Sequence, residues 1–202
     1  MKGIIVSWVM KVLMIAMGIY SMYKNDYLWT FASFVCFFVA LIPVIIKRDL
    51  KVVVPWPLDF LITLSLFLHV AGGVINIYHI IPFYDKILHF FSTMVVATVS
   101  FVIVYLIDKY WSGFHMDLPA MAFLIVILSI AGGVFWEFGE FASDKIFGTR
   151  AQLGLDDTMW DLIYDTIGGV VAAVLGSIAI KKGIFQKGIE KMDKSIEVMM
   201  KK

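Results

Sequence analysis

Six apolar stretches, each of about 20 residues, dominate this sequence, and each is long enough to cross a lipid bilayer as a helix. Short polar segments separate them, and the longest of these covers roughly residues 144–158. The pattern predicts an all-α, polytopic membrane protein with six transmembrane helices. These helices are expected at roughly residues 4–23, 27–46, 58–79, 86–107, 118–143 and 159–180.

The composition favours a membrane protein over a soluble one. Of the 202 residues, 61% are hydrophobic and 16% are charged, whereas a soluble domain is usually about half apolar and a quarter charged. The net charge of +1 gives no reason to expect nucleic acid as a partner. We therefore expect a multi-pass protein of the cell (inner) membrane whose partners are membrane lipids, and the sequence leaves its oligomeric state open.

The distribution of lysine and arginine predicts the orientation, because cytoplasmic segments carry an excess of these residues. With the N-terminus inside, the outer segments contain only Lys24, Lys86, Lys145 and Arg150. The strongly basic end of the chain is then also inside, so both termini are predicted to be cytoplasmic. Residues 1–180 would form the six-helix transmembrane domain, and residues 181–202 a basic amphipathic cytoplasmic tail along the membrane surface.

This topology would bring four helix ends to the outer face, and the acidic and histidine residues fall on those ends. Residues three or four apart share one face of a helix. The fourth helix would present Asp85 and His89, and the third would place His69 at about the depth of Asp165. The other two stripes are Glu137, Glu140 and Asp144 at the end of helix five, and Asp157, Asp161 and Asp165 at the start of helix six.

The depth of the acidic stripe on the sixth helix sets it apart from ordinary helix caps. An aspartate at a helix start is usually a cap, and Asp156 and Asp157 each fit that role. A charged side chain at mid-helix in a membrane costs roughly 2.5–3.5 kcal/mol on insertion scales. Asp161 and Asp165 therefore require a polar cavity, a cation or a shared proton.

Simpler structural roles compete with a functional one at several positions. Glu137 and Glu140 could be solvated beyond the membrane edge, and His69 could be a hydrogen-bonded packing residue. Lys11 is expected to extend its amine toward the cytoplasmic surface. Glycine pairs at 72–73, 132–133 and 168–169 allow close approach of helices in lipid, which predicts that the third, fifth and sixth helices are neighbours.

The motifs "LHVAGG", "YDKILHFF", "WEFGEFASD" and "DDTMWDLIYDTIGG" together resemble the YjdF-like family of prokaryotic inner-membrane proteins. The resemblance covers roughly residues 60–175, and it is looser toward VanZ-like proteins, which share an Asp-Lys-x-x-His-Phe segment. The resemblance implies an activity directed at lipids or polyprenols. At the position of Asp165 it implies a small residue instead of an aspartate. The pattern carries over to His69, Asp85, His89, Glu137, Glu140, Asp144, Asp157, Thr158, Asp161 and Gly168.

These observations lead to the hypothesis of a membrane enzyme with an outward-facing acidic and histidine pocket. It would act on a lipid or polyprenyl-linked head group, with His89 as nucleophile or base oriented by Asp85. Carboxylates would repel a phosphate unless a cation intervened, which favours a divalent ion such as Mg²⁺, Mn²⁺, Ca²⁺ or Zn²⁺. The candidate catalytic residues are His89, Asp85, Glu137 and Asp161; the metal ligands are Glu140, Asp144, Asp157, Asp161 and His89; the supporting residues are His69, Asp165 and Thr158.

Two other functional classes stay open, so the sequence alone does not make this chain an enzyme. The first is a cation or proton transporter or channel, because intramembrane acids and histidines line such pathways. Against it, no charged residue is expected in the inner halves of helices three to six, where hydroxyl groups such as Thr63 and Thr98 are few. The second is a membrane scaffold that contains a structural metal site.

The orientation is tested by a cysteine introduced at Thr149, in the segment expected outside. Because this segment would face the outer side, we expect an impermeant thiol reagent to label it in intact cells. Labelling that appears only after lysis would reverse the topology and place the acidic residues inside.

Overall fold

A computed structural model describes residues 2–201, and every regular element in that range is an α-helix. Six of these helices or helix pairs are long and apolar enough to cross a membrane, which confirms the predicted class; the orientation stays a prediction. The helices are α1 (Lys2–Tyr23), α2 (Tyr27–Ala40), α3 (Ile42–Asp49), α4 (Trp56–Val74), α5 (Ile77–Ile80), α6 (Tyr84–Tyr110), α7 (Leu118–Phe147), α8 (Leu155–Lys181) and α9 (Ile184–Met200).

Two of the predicted helices are interrupted, one next to a proline and one at a residue with a left-handed backbone conformation. The second is divided at Leu41, just before Pro43 in the first turn of α3, because proline has no amide hydrogen to continue the helix. The third ends at Val74, and Asn76 then adopts a left-handed conformation with φ of 63° before the single turn of α5.

The segment between α7 and α8 is shorter than the sequence predicted. It runs from Gly148 to Gly154, and these glycines have φ of 67° and 119°, which favour residues without a Cβ atom. Asp144 therefore lies in the last turn of α7, and Asp157 lies in the first turn of α8. The helices, rather than a long loop, fix the positions of these carboxylates.

The chain divides into two compact units, Met1–Tyr84 with Gln186–Lys202 and Asp85–Phe185. In the first unit, α1, α2 and α4 pack around a small core formed by Met14, Cys36, Ala40 and Val70. In the second unit, the core lies between α6, α7 and α8. It consists of Ala97, Phe101, Val104, Met121, Ile125, Ala172 and Ala173.

The first unit contains a buried polar cluster that corrects two expectations from the sequence. Lys11 is fully buried rather than extended toward the surface, and its Nζ lies 2.7 Å from Asp59 Oδ1. Ser7 donates to Asp59 Oδ2 at 2.6 Å and lies 3.1 Å from the Thr63 hydroxyl. Asp59 is in the first turn of α4, so the predicted inner half of the third span does contain a charge. Lys11 stays buried because its counterion, Asp59, lies inside the same unit.

The tail forms the amphipathic helix α9, and its part from Gln186 onward belongs to the first unit. Ser195 Oγ accepts a hydrogen bond from the Val53 amide at 2.9 Å, and Ile189 is buried. On the exposed side, Lys194 donates to Glu190 at 2.6 Å, and this contact lowers the pKa of Glu190. The position of α9 on a membrane surface stays a prediction.

Small residues allow the three helices of the second unit to approach closely. A Cβ atom at Gly168 would come within 2.5 Å of the Phe90 carbonyl oxygen on α6, and one at Gly169 within 2.6 Å of Ser129 on α7. A Cβ atom at Gly133 would collide with the Asp165 carboxylate. The predicted contact of the fifth and sixth helices is therefore present, and the carboxylate of Asp165 fits only because Gly133 has no side chain.

We expect Gly168→Ala to lower the apparent melting temperature of the purified protein in detergent. The added methyl group would meet backbone, which cannot rotate away, and overpacking typically costs about 1–3 kcal/mol. Gly139→Ala is the matched control on α7, because a Cβ atom there meets nothing within 4 Å; alanine is also the better helix former. Equal melting temperatures for the two variants would contradict the close packing of α6 and α8.

Candidate functional site

Three helix ends meet at one end of the second unit: the start of α6, the end of α7 and the start of α8. Lys86 on α6 donates to Asp161 on α8 at 2.9 Å. Thr158 on α8 donates to Glu137 on α7 at 2.8 Å. The convergence expected from the alternating topology is thus observed for these three helices.

Lys86 is the cationic centre of this arrangement. Its Nζ lies 2.5 Å from Asp157 Oδ1, 2.8 Å from Asp161 Oδ1 and 3.1 Å from Asp85 Oδ2. The lysine side chain is 13% exposed and that of Asp161 only 2%. Isolated carboxylates would be costly in such surroundings, so Lys86 supplies the charge that allows the acidic stripe of α8 to be buried.

His89 is held by Asp165. His89 Nδ1 lies 3.2 and 3.3 Å from the two Asp165 carboxylate oxygens, and Thr93 donates to Asp165 Oδ1 at 2.5 Å. His89 is 8% exposed and Asp165 is 1% exposed. An ionised carboxylate only accepts hydrogen bonds, so a neutral His89 carries its proton on Nδ1 and keeps the Nε2 lone pair free. Asp165 therefore orients the ring, whereas the sequence interpretation gave that role to Asp85.

The other ring nitrogen of His89 faces two carboxylates. His89 Nε2 lies 3.8 Å from Asp85 Oδ1 and 3.7 Å from Asp161 Oδ1, which is too long for a hydrogen bond. Among the described residues, Asp85, His89 and Asp161 form the one group of three whose ligand atoms all lie within 4.8 Å of one another. Of the residues proposed from the sequence, these three have the mutual spacing that a metal ion requires.

A second hydrogen-bonded chain links α7 to α8. The Gln152 side chain donates to the Thr158 hydroxyl at 2.9 Å, and that hydroxyl donates to Glu137 Oε2 at 2.8 Å. Glu137 is 4% exposed, and its Oε1 has no hydrogen-bond partner among the described residues. Glu137 is therefore not solvated beyond a membrane edge, and one of its oxygens is available for a ligand or a proton.

Three of the proposed metal ligands have other partners. Asp144 accepts from the Thr149 hydroxyl at 2.5 Å and from the amides of Ala151 and Gln152 at 2.8 and 3.1 Å, so it organises the segment after α7. Glu140 Oε1 accepts from the Trp136 indole at 2.9 Å. Asp157 contacts Lys86, as described above. None of the three belongs to the group around His89 Nε2.

His69 belongs to the first unit. Its Nδ1 lies 2.8 Å from the Tyr78 hydroxyl, and its ring centroid lies 5.4 Å from that of Trp29. In the same unit Tyr84 donates to the Leu68 carbonyl at 2.7 Å. These contacts agree with the packing role that the sequence left open for His69.

Lys86, Thr93, Gly133 and Gln152 take part in the site, although none was selected from the sequence. Helical spacing identifies two of them, because Thr93 is four residues after His89 and Gly133 is four residues before Glu137. Lys86 directly follows Asp85 in the chain, and the sequence predicted it only as a charge in an outer segment. Lys86 lies 71 and 75 residues before Asp157 and Asp161, and Gln152 lies six residues before Thr158 across the start of α8, so only the folded chain shows these contacts.

An apolar groove of about 400 Å³ lies elsewhere in the second unit, between α7 and the later half of α8. Ala122 and Val126 line one side, Val174 and Ile178 line the other, and Lys181 lies at its end. The groove is lined by no carboxylate or histidine, so it is an apolar surface and not a candidate reaction centre.

The charges around His89 do not balance. Asp85, Asp157, Asp161 and Asp165 contribute four carboxylates, while among residues 2–201 Lys86 is the permanent cation that the structure shows in contact with them. If all four are ionised, three negative charges are left over, and two are left if His89 is protonated. Within a membrane span such an excess is costly, so the site is suited to a proton or an added cation.

The family model described as "Predicted membrane protein (DUF2238)" matches residues 5–182, which include all the residues of this site. A protein of Thermotoga maritima, described as uncharacterized, is 31% identical over 163 residues, covering 78% of this chain and 83% of that protein. No solved structure matches this chain.

We expect Lys86→Met to lower the stability of the purified protein in metal-free detergent solution. The change keeps the length of the side chain but leaves Asp161 and its neighbours without their cation, and breaking a buried ion pair costs about 3–5 kcal/mol. Lys145→Met on α7 is the matched control, because Lys145 is exposed. A Lys86→Met variant that melts at or above the wild-type temperature would show that the lysine does not balance these carboxylates.

Proposed function

This chain belongs to the DUF2238 family of predicted membrane proteins, and we propose that it is an integral membrane enzyme acting on the head group of a lipid or polyprenyl-linked molecule. The reacting centre would lie at the common end of α6, α7 and α8, with His89 Nε2 as its reactive electron pair. The YjdF-like resemblance, and the looser VanZ-like one, belong to this proposal because they supply the lipid-directed substrate class.

The observation that supports the proposal most strongly is the buried imidazole with an orienting carboxylate. Asp165 fixes the His89 ring through Nδ1, and this leaves Nε2 directed toward Asp85 and Asp161. Packing alone does not require this arrangement, because apolar side chains commonly replace buried ion pairs without loss of stability. An oriented imidazole with a free lone pair is the arrangement that general-base and metal-assisted enzymes use.

Lys86 and the position of the site favour a charged head group as substrate. The lysine presents an ammonium group beside Asp85, which has the most exposed side chain of the cluster at 34%. The cluster lies toward one end of the spanning helices α6, α7 and α8, and a lipid head group would meet such an end at the surface of the bilayer. The apolar groove between α7 and α8 provides a surface of matching polarity for an acyl or prenyl chain.

The test uses the purified full chain in vesicles of defined phospholipids, with a polyprenyl phosphate in a parallel preparation. We expect mass spectrometry to detect a released or transferred head group with the wild type. His89→Gln should reduce the rate at least about 100-fold, the usual range for loss of a general acid or base. His79→Gln is the matched control, because His79 is exposed and belongs to the first unit.

Two results would contradict the proposal. The first is turnover by His89→Gln equal to that of His79→Gln. The second is a wild-type protein that alters none of these lipids although it carries cations or protons across the same vesicles, which a pH-sensitive dye and an ion-sensitive dye would report.

Cation or proton transport is the second candidate, and one observation favours it. The buried Lys11 and the partly exposed Asp59 of the first unit place a charge pair inside predicted membrane spans, where ionisable residues commonly mark ion or proton pathways. This cluster weakens the argument against transport that the sequence alone supplied.

A further inference from the structure

Asp85 and Asp161 both contact Lys86, and one carboxylate oxygen of each also lies near His89 Nε2. The Oδ2 atoms accept hydrogen bonds from Lys86 at 3.1 and 2.9 Å. The Oδ1 atoms lie 3.8 and 3.7 Å from His89 Nε2. Lys86 thus holds both carboxylates beside His89, and Asp85 Oδ1, His89 Nε2 and Asp161 Oδ1 form a triangle of three donor atoms.

The size of this triangle fits a shared metal ion better than direct contact. Two ligand atoms bound at roughly 2.0–2.2 Å from one ion lie about 3–4 Å apart, depending on the angle at the metal. The two distances to Nε2 fall in that range, and all three atoms lie within 4.8 Å of one another. A hydrogen bond would require a separation close to 3 Å, so the ring and the carboxylates are spaced for an intervening atom.

The surroundings of Asp161 provide a second, independent observation in favour of a bound ion. The residue is 1% exposed, and its Oδ1 accepts no hydrogen bond from any described residue, although it lies 2.8 Å from Lys86 Nζ. Buried carboxylate oxygens almost always have hydrogen-bond partners. This oxygen also lies 3.7 Å from His89 Nε2, so an ion between the two would give it the partner that its ion pair with Lys86 does not supply as a hydrogen bond.

We propose that Asp85 Oδ1, His89 Nε2 and Asp161 Oδ1 bind one divalent transition-metal ion, for which Mn²⁺ is the probe. The inference rests on the proposed function, since the ion would supply the positive charge that a phosphate ester needs beside so many carboxylates. His89 is then a ligand rather than the base, because its single Nε2 lone pair cannot serve both roles.

The surroundings of the triangle match a metal site in two further respects. A histidine ligand usually donates its other ring nitrogen to a carboxylate, and Asp165 occupies that position, held in turn by Thr93. Asp85 is partly exposed, so one side of the ion stays open to water or substrate, as catalytic sites require.

The donor set indicates the class of ion. One imidazole nitrogen with two carboxylate oxygens suits Mn²⁺, Fe²⁺ or Zn²⁺ better than the oxygen-only sites of Mg²⁺ and Ca²⁺. The single cysteine, Cys36, lies in the first unit, and no thiolate is part of the triangle. A divalent ion would also compensate two of the unbalanced carboxylate charges in the cluster.

The experiment titrates Mn²⁺ into the full chain in detergent after treatment with a chelator, and electron paramagnetic resonance separates bound from free ion. We expect one bound Mn²⁺ per chain, with coupling of the electron spin to one imidazole nitrogen. His89→Gln should lose that coupling, and both His89→Gln and Asp161→Asn should lose binding. Asp165→Asn should weaken binding about 10–100-fold, the usual effect of changing an outer partner of a ligand.

Asp156→Asn is the matched control, because it removes the same charge from the same end of α8 at an exposed position. It should bind Mn²⁺ as the wild type does. Wild-type protein that binds no Mn²⁺, or binds it without nitrogen coupling, overturns the site, and this result does not depend on any variant folding. Equal loss of binding in Asp156→Asn also overturns it, since the ion would then be attracted by general negative charge.

The outcomes separate this inference from the proposed function. If the chelated protein still processes head groups at the wild-type rate and binds no Mn²⁺, the metal site is wrong and the enzyme stands. If Mn²⁺ binds with nitrogen coupling but no lipid is altered in the vesicles, the metal site stands and the enzyme is wrong.

Discussion

The contact of one lysine with three carboxylates is the interaction on which the acidic end of the second unit depends. Lys86 on α6 reaches Asp157 and Asp161 on α8, as well as Asp85 on its own helix. Unpaired charges inside a membrane span are costly, so this pairing fixes the relative heights of α6 and α8. Once those heights are fixed, His89 stands level with Asp165, and the imidazole acquires its orienting partner.

Close packing of the helices positions Asp165, the orienting partner of His89. Gly133 leaves room for the Asp165 carboxylate against α7, and Gly168 lets α8 approach the backbone of α6 at Phe90. In lipid, such small residues replace the hydrophobic driving force that would bring helices together in water. The glycines and the acids of α8 are therefore parts of one arrangement, in which packing controls the direction of His89 Nε2 and so the chemistry available at the site.

Both units contain buried charged side chains, but the two clusters differ in whether cations and anions are equal in number. In the first, Lys11, Asp59, Ser7 and Thr63 form a cluster in which one cation meets one anion. In the second, the carboxylates outnumber the contacting lysine, and buried oxygens of Asp161 and Glu137 lack hydrogen-bond partners within the described part of the chain. A balanced cluster is sufficient to hold helices together, whereas an unbalanced one has capacity to bind a proton, a cation or a substrate. This difference is why the functional proposal concerns the second unit.

The sequence by itself determined the class, the six spans and the three acidic stripes, because each depends on residues near one another along the chain. Apolar run length predicts a spanning helix, and spacings of three and four predict a shared helix face. Only the tertiary structure decided which stripe residue meets which. It placed Asp165 rather than Asp85 against His89 Nδ1, gave Asp144 to the segment after α7 and buried Lys11. It also revealed Lys86 as the cation that contacts the acidic stripe of α8. Helical periodicity states which residues share a face but not which residues of another helix that face meets. That choice depends on helix heights and rotations set by packing across the whole unit.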